Sequence, residues 1–401
     1  MKSEWHKVPL RELVGYISKG IAPIYSEKST GTTISVLNQK CNRNFQISYA
    51  EARLHNMTQK KVPVERLIRK DDILINSTGT GTAGRVAQIR SVPCRTTVDG
   101  HMIILRANEK VMQRYLGYAI KAHQSEILQL DEGSTGQTEL NRERLLDEIM
   151  ICYPESIIVQ EKIVTIFECI DQKIVVNKKI NDNLEQQAVT YFQELYINNA
   201  NPMWQIGTIS DLGTVVGGST PSKTKPEYYT NNGIAWITPK DLSINKSKFI
   251  SHGENDITEL GLKNSSATVM PKGTVLFSSR APIGYIAIAS NEVTTNQGFK
   301  SVVPYLEIGT AFVYFFLKHS LPVIESAASG STFKEISGSA MKNIPAIIPD
   351  RSTLDQFNSF CAPIFAQQKI LEDQNYSLAM LRDSLLPKLM SGAIDIASIQ
   401  L

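Results

Sequence analysis

The chain has 401 residues, 42% of them hydrophobic and 20% charged, with five cysteines and a formal net charge of +3. That length supports two domains with cores of their own, and the composition excludes a disordered, collagen-like or disulfide-stapled chain. The longest apolar patch, Ala311 to Leu317, is too short to cross a bilayer, and no apolar run follows the basic residues of Met1 to Leu10, so a cytoplasmic protein with no membrane contact is expected.

The first body, residues 1–153, carries short β-branched runs at Thr33 to Leu37, Ile73 to Asn76, Val86 to Ile89 and Met102 to Leu105, separated by Gly, Pro, Asn and Thr turns. It then turns helical around Tyr115 to Leu130. The motif Gly79-Thr-Gly81-Thr-Ala-Gly84 follows a strand and fits a dinucleotide-binding fingerprint, yet it runs into Arg85-Val-Ala-Gln-Ile-Arg90, which alternates like a strand. A fingerprint must open a helix whose N-terminus holds pyrophosphate. A Thr- and Gly-rich hairpin loop is the reading that fits.

Residues 154–200 read as one long helix. Ile163, Phe167, Ile170, Ile174, Asn177, Asn181, Leu184, Ala188, Tyr191 and Leu195 alternate steps of four and three, the spacing of a coiled-coil seam. Two of these ten positions are Asn, whose amides are satisfied only opposite other polar groups, so the partner helix should carry polar seam residues too.

The second body, residues 201–349, repeats the first. Trp5 to Leu13 matches Trp204 to Leu212 at a shift of 199, Lys70 to Ser77 matches Lys272 to Ser279 at 202, and Thr96-Thr97-x-x-Gly100 matches Thr294-Thr295-x-x-Gly298 at 198. Tyr115 to Lys121 matches Phe312 to Lys318, Gly133-Ser134-Thr135 matches Gly330-Ser331-Thr332 at 197, and Gln172-Lys173-Ile174 matches Gln368-Lys369-Ile370 at 196. Six anchors in one order at nearly one shift are a tandem duplication. Its strands are expected at Ala235 to Thr238, Val275 to Ser278, Tyr285 to Ala289 and Ser301 to Val303, with helix from Ala311 to Ser326. The copies diverge most at 19–62 against 218–266, as two differently specific sites on a shared frame would.

Residues 350–401 hold the second helix and a tail. Phe357, Phe360, Ile364, Gln367, Leu371, Gln374, Leu378, Leu381 and Leu385 keep the seam alternation, with two Gln near the middle. The expected fold is therefore α+β: two tandem-repeat globular α/β domains separated by two long helices that pair as an antiparallel coiled coil. Two amphipathic helices packed on separate domains are the alternative. Charge follows the same division. Residues 1–152 hold 22 basic against 16 acidic side chains and residues 201–348 hold 12 against 10, whereas 153–200 hold 4 against 7 and 349–401 hold 4 against 6. Positive bodies on negative helices point to an anionic partner at the bodies.

No catalytic constellation is found. Asn201-Pro202-Met203-Trp204 approaches the Asn-Pro-Pro-aromatic signature of amino-directed DNA methyltransferases, but a Gly-rich S-adenosylmethionine loop is missing and Trp204 is explained by its counterpart Trp5. Phosphate loops, nuclease runs and nucleophile elbows are absent too. Cys41, Cys94, Cys152, Cys169 and Cys361 form no C-x-x-C pair and have no His at ligand spacing, so reduced thiols are expected and no metal. What remains are loops of groups that bond to bases and phosphates. In the first body they are Asn38, Gln39, Lys40, Asn42 and Arg43, then Ser77, Thr78, Thr80, Thr82 and Arg85. In the second they are Thr238, Lys240 and Asp241, then Ser278, Ser279 and Arg280, with Asn296 and Gln297 beyond. Asn, Gln and Arg can read base edges bidentately, while Ser, Thr and Lys mainly hold the backbone.

Over its whole length the sequence resembles the specificity (S) subunit of type I restriction–modification systems. The resemblance rests on the Trp-x-x-x-x-[Leu/Ile]-x-[Asp/Glu]-Leu opening of each half, Gly-Ser-Thr near the end of each body, and Gln367-Gln-Lys-Ile370 leading to Leu381-Arg-Asp-Ser-Leu-Leu-Pro-Lys-Leu-Met-Ser-Gly392. It implies a non-catalytic subunit with two target-recognition domains, each reading half of a split site in double-stranded DNA. The two helices would dock two modification (M) subunits, with Ile163, Ile170, Ile174, Leu371, Leu378 and Leu385 as the docking residues. Those subunits would carry S-adenosylmethionine, and restriction (R) subunits would add ATP- and Mg-dependent translocation and cleavage, leaving no cofactor on this chain. The central helix reads Tyr191-Phe-Gln-Glu-Leu where the last one reads Leu385-Leu-Pro-Lys-Leu, so the docking surfaces are expected to be unequal. The rival reading is a non-DNA dumbbell scaffold that brings two proteins together.

If the central helix is the ruler between half-sites, four residues inserted between Asn181 and Leu184 would lengthen it by about 6 Å and turn one end by roughly 40°. The spacer of the recognised site should then change by about one to two base pairs, at ~3.4 Å each, with both half-words intact. Sequencing of the methylated sites reads this directly, and an unchanged spacer would refute it.

Overall fold

A computed structural model describes residues 4–79, 81–132, 139–330 and 334–396. It divides into two compact units: residues 1–172 with 378–401, and residues 173–377. Both divisions fall inside long helices, α1 (Ile157–Gln193) and α2 (Arg351–Met390).

In the first unit, Trp5–Pro9 pairs antiparallel with Met150–Pro154, so the body closes on itself just before α1. An antiparallel sheet follows the order Val14–Lys19, Met102–Ala107, Ile73–Asn76, Val86–Gln88. All four residues of Ile73–Asn76 are buried, because both faces of the sheet are covered. Ile73, Ile75, Ile103 and Leu105 face Tyr115, Leu116 and Ile120 of the helix Gln113–Ala122, whereas Leu74, Met102 and Ile104 pack with Leu37 and Val98 of a second sheet. That second sheet is mixed, since Thr96–Val98 runs parallel to Thr33–Leu37. Gly81–Gly84 leads directly into the strand Val86–Gln88, which pairs antiparallel with Ile73–Asn76, and does not open a helix.

The second unit repeats this plan. Gln205–Thr208 pairs with Pro345–Ile348. One sheet is ordered Gly213–Gly217, Lys300–Pro304, Val275–Ser279, Ile283–Ala289, Phe249–Ile250, and the other sets Thr294–Thr295 parallel to Ile234–Ile237. The expected helix from Ala311 to Ser326 is divided into Thr310–His319 and Leu321–Ser326, and its first-unit counterpart is interrupted at His123. All five cysteines are free.

Within each unit α1 and α2 run antiparallel. In the second, Asn177 Nδ2 donates to Asn375 Oδ1 at 3.0 Å and Gln368 Nε2 to the carbonyl of Asn181 at 3.1 Å, while Tyr191 stacks on Phe357. In the first, Arg382 Nη1 meets Asp171 Oδ1 at 3.0 Å. The seam of α2 differs from its expected phase at alternate positions. Phe357, Ile364 and Leu371 are buried as expected, but the buried partners between them are Cys361 and Gln368, and Phe360 and Leu381 are exposed. Phe360 and Cys361 are both apolar, and so are Leu381 and the stem of Arg382, so apolar spacing alone does not separate the two phases. On α1 the stripe also slides at its end, where Phe192 and Tyr196 are buried in place of Tyr191 and Leu195. The reason is a change of partner: both rings pack with Phe312 of the second body.

Each body is fastened to the helices by charged side chains, which are buried in the second. Lys248, with its side chain 6% exposed, pairs with Glu185 of α1 and donates to Gln368 Oε1 of α2 at 2.6 Å. Its ammonium also lies 4.2 Å from the Phe365 ring centre and 4.8 Å from that of Tyr314, a desolvated cation–π site. Burial pulls Lys248 below the ordinary lysine range, and Glu185 opposes that pull. Burial raises Glu185 too, but Lys248 and Lys318 more than offset it and hold its carboxyl below the usual range. In the first unit the hydroxyl of Tyr118 donates to Asp171 Oδ2 at 2.8 Å, and Arg114 reaches both Glu161 and Glu168 of α1.

Replacing Lys248 with Met strips a buried carboxylate of one cation, which should cost about 3 kcal/mol in urea unfolding. Because the folded Glu185 carboxyl is depressed, its contribution is present above the ordinary glutamate pKa and lost as pH falls through the folded value. The deficit of Lys248→Met should therefore shrink in acid, and a deficit that stayed constant would count against this fastening.

Candidate nucleic-acid interface

The same backbone frame carries the polar loops of both bodies. Asp99 N donates to the carbonyl of Leu37 at 2.9 Å, and Asn296 N to that of Ile237 at 3.0 Å. Each residue then accepts from the amide two positions on, Asp99 Oδ1 from His101 and Asn296 Oδ1 from Gly298, both at 2.9 Å. Ser77 N and Ser279 N close the frame on the carbonyls of His101 and Gly298. Asp99 therefore corresponds to Asn296, a shift of 197, and the Thr-Thr anchors expected to match at 198 lie one residue out of register. Gly20 and Gly218 are required where the chain crosses this frame. A Cβ on Gly20 would lie 2.2 Å from the carbonyl oxygens of Val98 and Asp99, and one on Gly218 2.0 Å from that of Asn296. Burial raises the Asp99 carboxyl, while its hydrogen bond from His101 draws it back.

In the second unit Thr238, Lys240, Arg280, Asn296 and Gln297 converge on one open depression of about 490 Å³. Thr238 caps the helix Pro239–Ile244, and Asp241 accepts from its amide at 2.7 Å, its hydroxyl at 2.6 Å and the amide of Glu254 at 2.8 Å. Lys240 pairs with Glu254 at 2.5 Å, a hydrogen bond that holds the ammonium above its ordinary range. Gln297 accepts from Thr220. Ser278 and Ser279 are buried and do not reach the depression: Ser278 Oγ donates to the carbonyl of Pro282 at 2.8 Å, and Ser279 is fully enclosed.

In the first unit Gln39, Thr78 and His101 form a cluster, with Thr78 Oγ1 3.4 Å from Gln39 Oε1 and 2.7 Å from His101 Nδ1. Lys40 and Arg43 are exposed, Arg43 beside a tight turn in which Asn44 and Phe45 are left-handed at φ of 54° and 61°. Arg85 is half-buried and donates to the carbonyl of Gly81 at 3.1 Å, and Thr82 caps its own turn on the carbonyl of Gly79. Asn38 is half-buried, accepting from Lys40 N and donating to Glu51. Two expected contact residues are internal. Asn42 is 1% exposed and donates to Asn76 and to the carbonyl of Arg85; Ser77 is fully buried and donates to the carbonyl of Gly100. A short polar side chain after a strand bonds to the adjoining loop as readily as to a ligand, and here the loop wins. Thr80, Gly133-Ser134-Thr135, Ser331 and Thr332 lie outside the described residues.

His101, Thr220, Lys223 and Asn255 were not singled out by sequence reasoning. His101 falls opposite Gly298 once Asp99 is matched with Asn296, so the repeat does not mark it, and the other three lie in stretches where the copies diverge. The helix residues also change role. Ile163, Ile170, Ile174 and Leu371 are buried, and Leu378 and Leu385 half-buried, so these six serve the interior of the helix pair and not a docking face. Apolar side chains that α1 and α2 do expose include Val175, Val176 and Ile180 on one and Phe360, Ile370, Tyr376, Met380 and Leu381 on the other.

A family model described as the type I restriction modification DNA specificity domain matches the chain twice, over residues 2–186 and 201–373. The chain belongs to this family. It is 43% identical over 162 residues to the type I restriction enzyme MjaIX specificity subunit of Methanocaldococcus jannaschii, covering 40% of this chain and 37% of that protein. It is 28% identical over 194 residues to the HindI specificity subunit of Haemophilus influenzae, covering 48% of this chain and 42% of that protein. The matches thus span less than half the length of either curated relative. The fold is similar to the crystal structure of the type I restriction–modification S subunit from M. genitalium, with a TM-score of 0.58 at 15% identity over 97% of this chain and 96% of that one. Among the described residues no helix is long and apolar enough to cross a membrane.

The carboxylate of Asp241 is the interior support of the depression. Asp241→Asn replaces an acceptor of three hydrogen bonds with a group that must also donate, which should cost about 1–3 kcal/mol. Chemical denaturation checks this, and wild-type stability would show that the cap does not hold the loop.

Proposed function

We propose that this chain is the DNA-recognition subunit of a type I restriction–modification complex, each body reading one half of a bipartite site in double-stranded DNA. One observation carries the reading: two copies of one hydrogen-bonded frame carry different side chains at equivalent positions, Thr78, Asp99 and Gly100 in the first where the second has Arg280, Asn296 and Gln297. A common frame with divergent donors and acceptors is what reading two different words requires. The net positive charge of both bodies suits a phosphate backbone.

The exposed apolar residues of α1 and α2 are the surfaces we assign to two M subunits, which would bring S-adenosylmethionine to the bound site. R subunits would bring ATP and Mg, and this chain would hold no cofactor and perform no bond-making step.

Purified protein should bind random duplex DNA with an affinity that falls steeply as salt rises, by about 0.9 in log K per log salt for each phosphate neutralised. It should methylate DNA only when M subunits are added. Salt-independent binding, or methylation by the chain alone, would overturn the reading.

A further inference from the structure

In both units the residue after the framing serine is bridged across to a glutamate: Thr78 opposite Glu139, and Arg280 opposite Glu335. Leu140 N and Ile336 N donate to the carbonyls of Ser77 and Ser279, so the two bridges occupy equivalent places. Their charges differ. Glu139 pairs with Lys19, which leaves the first position neutral. Glu335 is shared, 3.2 Å from Arg280 Nη1 and 3.9 Å from Lys300 Nζ, so the second position retains one positive charge.

The backbone around Arg280 is tightly constrained. Ala281 is left-handed at φ 53°, and Gly284, at φ 96°, holds a backbone conformation that side-chain-bearing residues rarely adopt. The guanidinium, 37% exposed, is held on one edge by Glu335, and among the described residues its remaining N–H groups have no partner. It lines the depression together with Asn296 and Gln297. A planar fork held on one edge and open on another suits a ligand that offers two acceptors side by side. In the major groove that pair is O6 and N7 of guanine; adenine puts a donor amine beside its N7.

We propose that Arg280, positioned by Glu335, reads a guanine in the half-site of the second unit. The first unit, with uncharged Thr78 at the equivalent place, makes no such contact from this position. The proposal rests on the DNA-recognition reading above and deepens it.

The test is selection of bound sequences from a randomised duplex pool by the full chain. Wild type should enrich two words. Arg280→Ala should lose preference at one G·C pair of one word by roughly 5- to 150-fold, the equivalent of about 1–3 kcal/mol. Arg280→Lys keeps the charge but not the fork and should lose the same preference. Glu335→Gln should weaken it partly, at that same pair and with the salt dependence of binding unchanged, a pattern that mere loss of folding would not give. The other word should persist in all three variants. Uniform weakening across sequences, with the salt slope reduced by about 0.9, would make Arg280 a phosphate contact and overturn the proposal, as would unchanged words. If wild type enriched no word at all, the DNA-recognition reading itself would fall.

Discussion

Antiparallel pairing of α1 and α2 through a seam that is partly polar is the constraint on which the rest of this protein depends. A wholly apolar seam would slide at little cost, because one leucine layer packs much like the next. Asn177 opposite Asn375, Gln368 on the carbonyl of Asn181, and Asp171 with Arg382 each have one satisfied register. These contacts cost desolvation, and in return a slip would strand buried amides and charges.

The same groups fasten the bodies. Asp171 serves both Arg382 and Tyr118, and Gln368 serves both Asn181 and Lys248. Register of the helices and attachment of each body are therefore one set of interactions. Above this rigid attachment the loops are held by backbone-directed hydrogen bonds, the turns at Asp99 and Asn296 and the cap at Thr238, which leave certain side chains outward while their neighbours are used up inside. The division of labour is physical: buried short side chains such as Asn42 and Ser77 shape the loop, and longer ones such as Arg280 and Gln297 reach beyond it.

Much of the architecture was legible in the sequence. The duplication, the α+β bodies and the long helices followed from anchors and periodicity, since buried strands and apolar seams leave strong patterns. The phase of α2 was not legible, because Phe360 and Cys361 are interchangeable to a periodicity argument and the polar contacts of Gln368 and Asn375 decide between them. The site was partly legible. Five second-body residues converge on one depression, and they were found because loop Arg, Lys and Asn side chains after strands are conspicuous. Ser279 and Asn42 were misplaced because the sequence does not tell which side of a loop faces the core. His101 is not legible from the repeat, because its counterpart is Gly298, which has no side chain to mark the position.

The first unit is assembled from both ends of the described chain. Leu386, Leu389, Met390 and Ile396 are buried in the same core as Leu10, Ile151 and Phe167, and a Cβ on Gly392 would touch the Trp5 indole. The second unit, in contrast, is one uninterrupted segment. On a ribosome, therefore, the last side chains of the first core are made only after the whole of the second unit. Bridging Asp171 to Arg382 from an open chain means closing a loop of about 200 residues, an entropy cost of roughly 5 kcal/mol. Once Asn177 has found Asn375, only a few residues separate the ends that must meet. Pairing of α1 with α2 in the second unit thus lowers the entropy cost of closing the first.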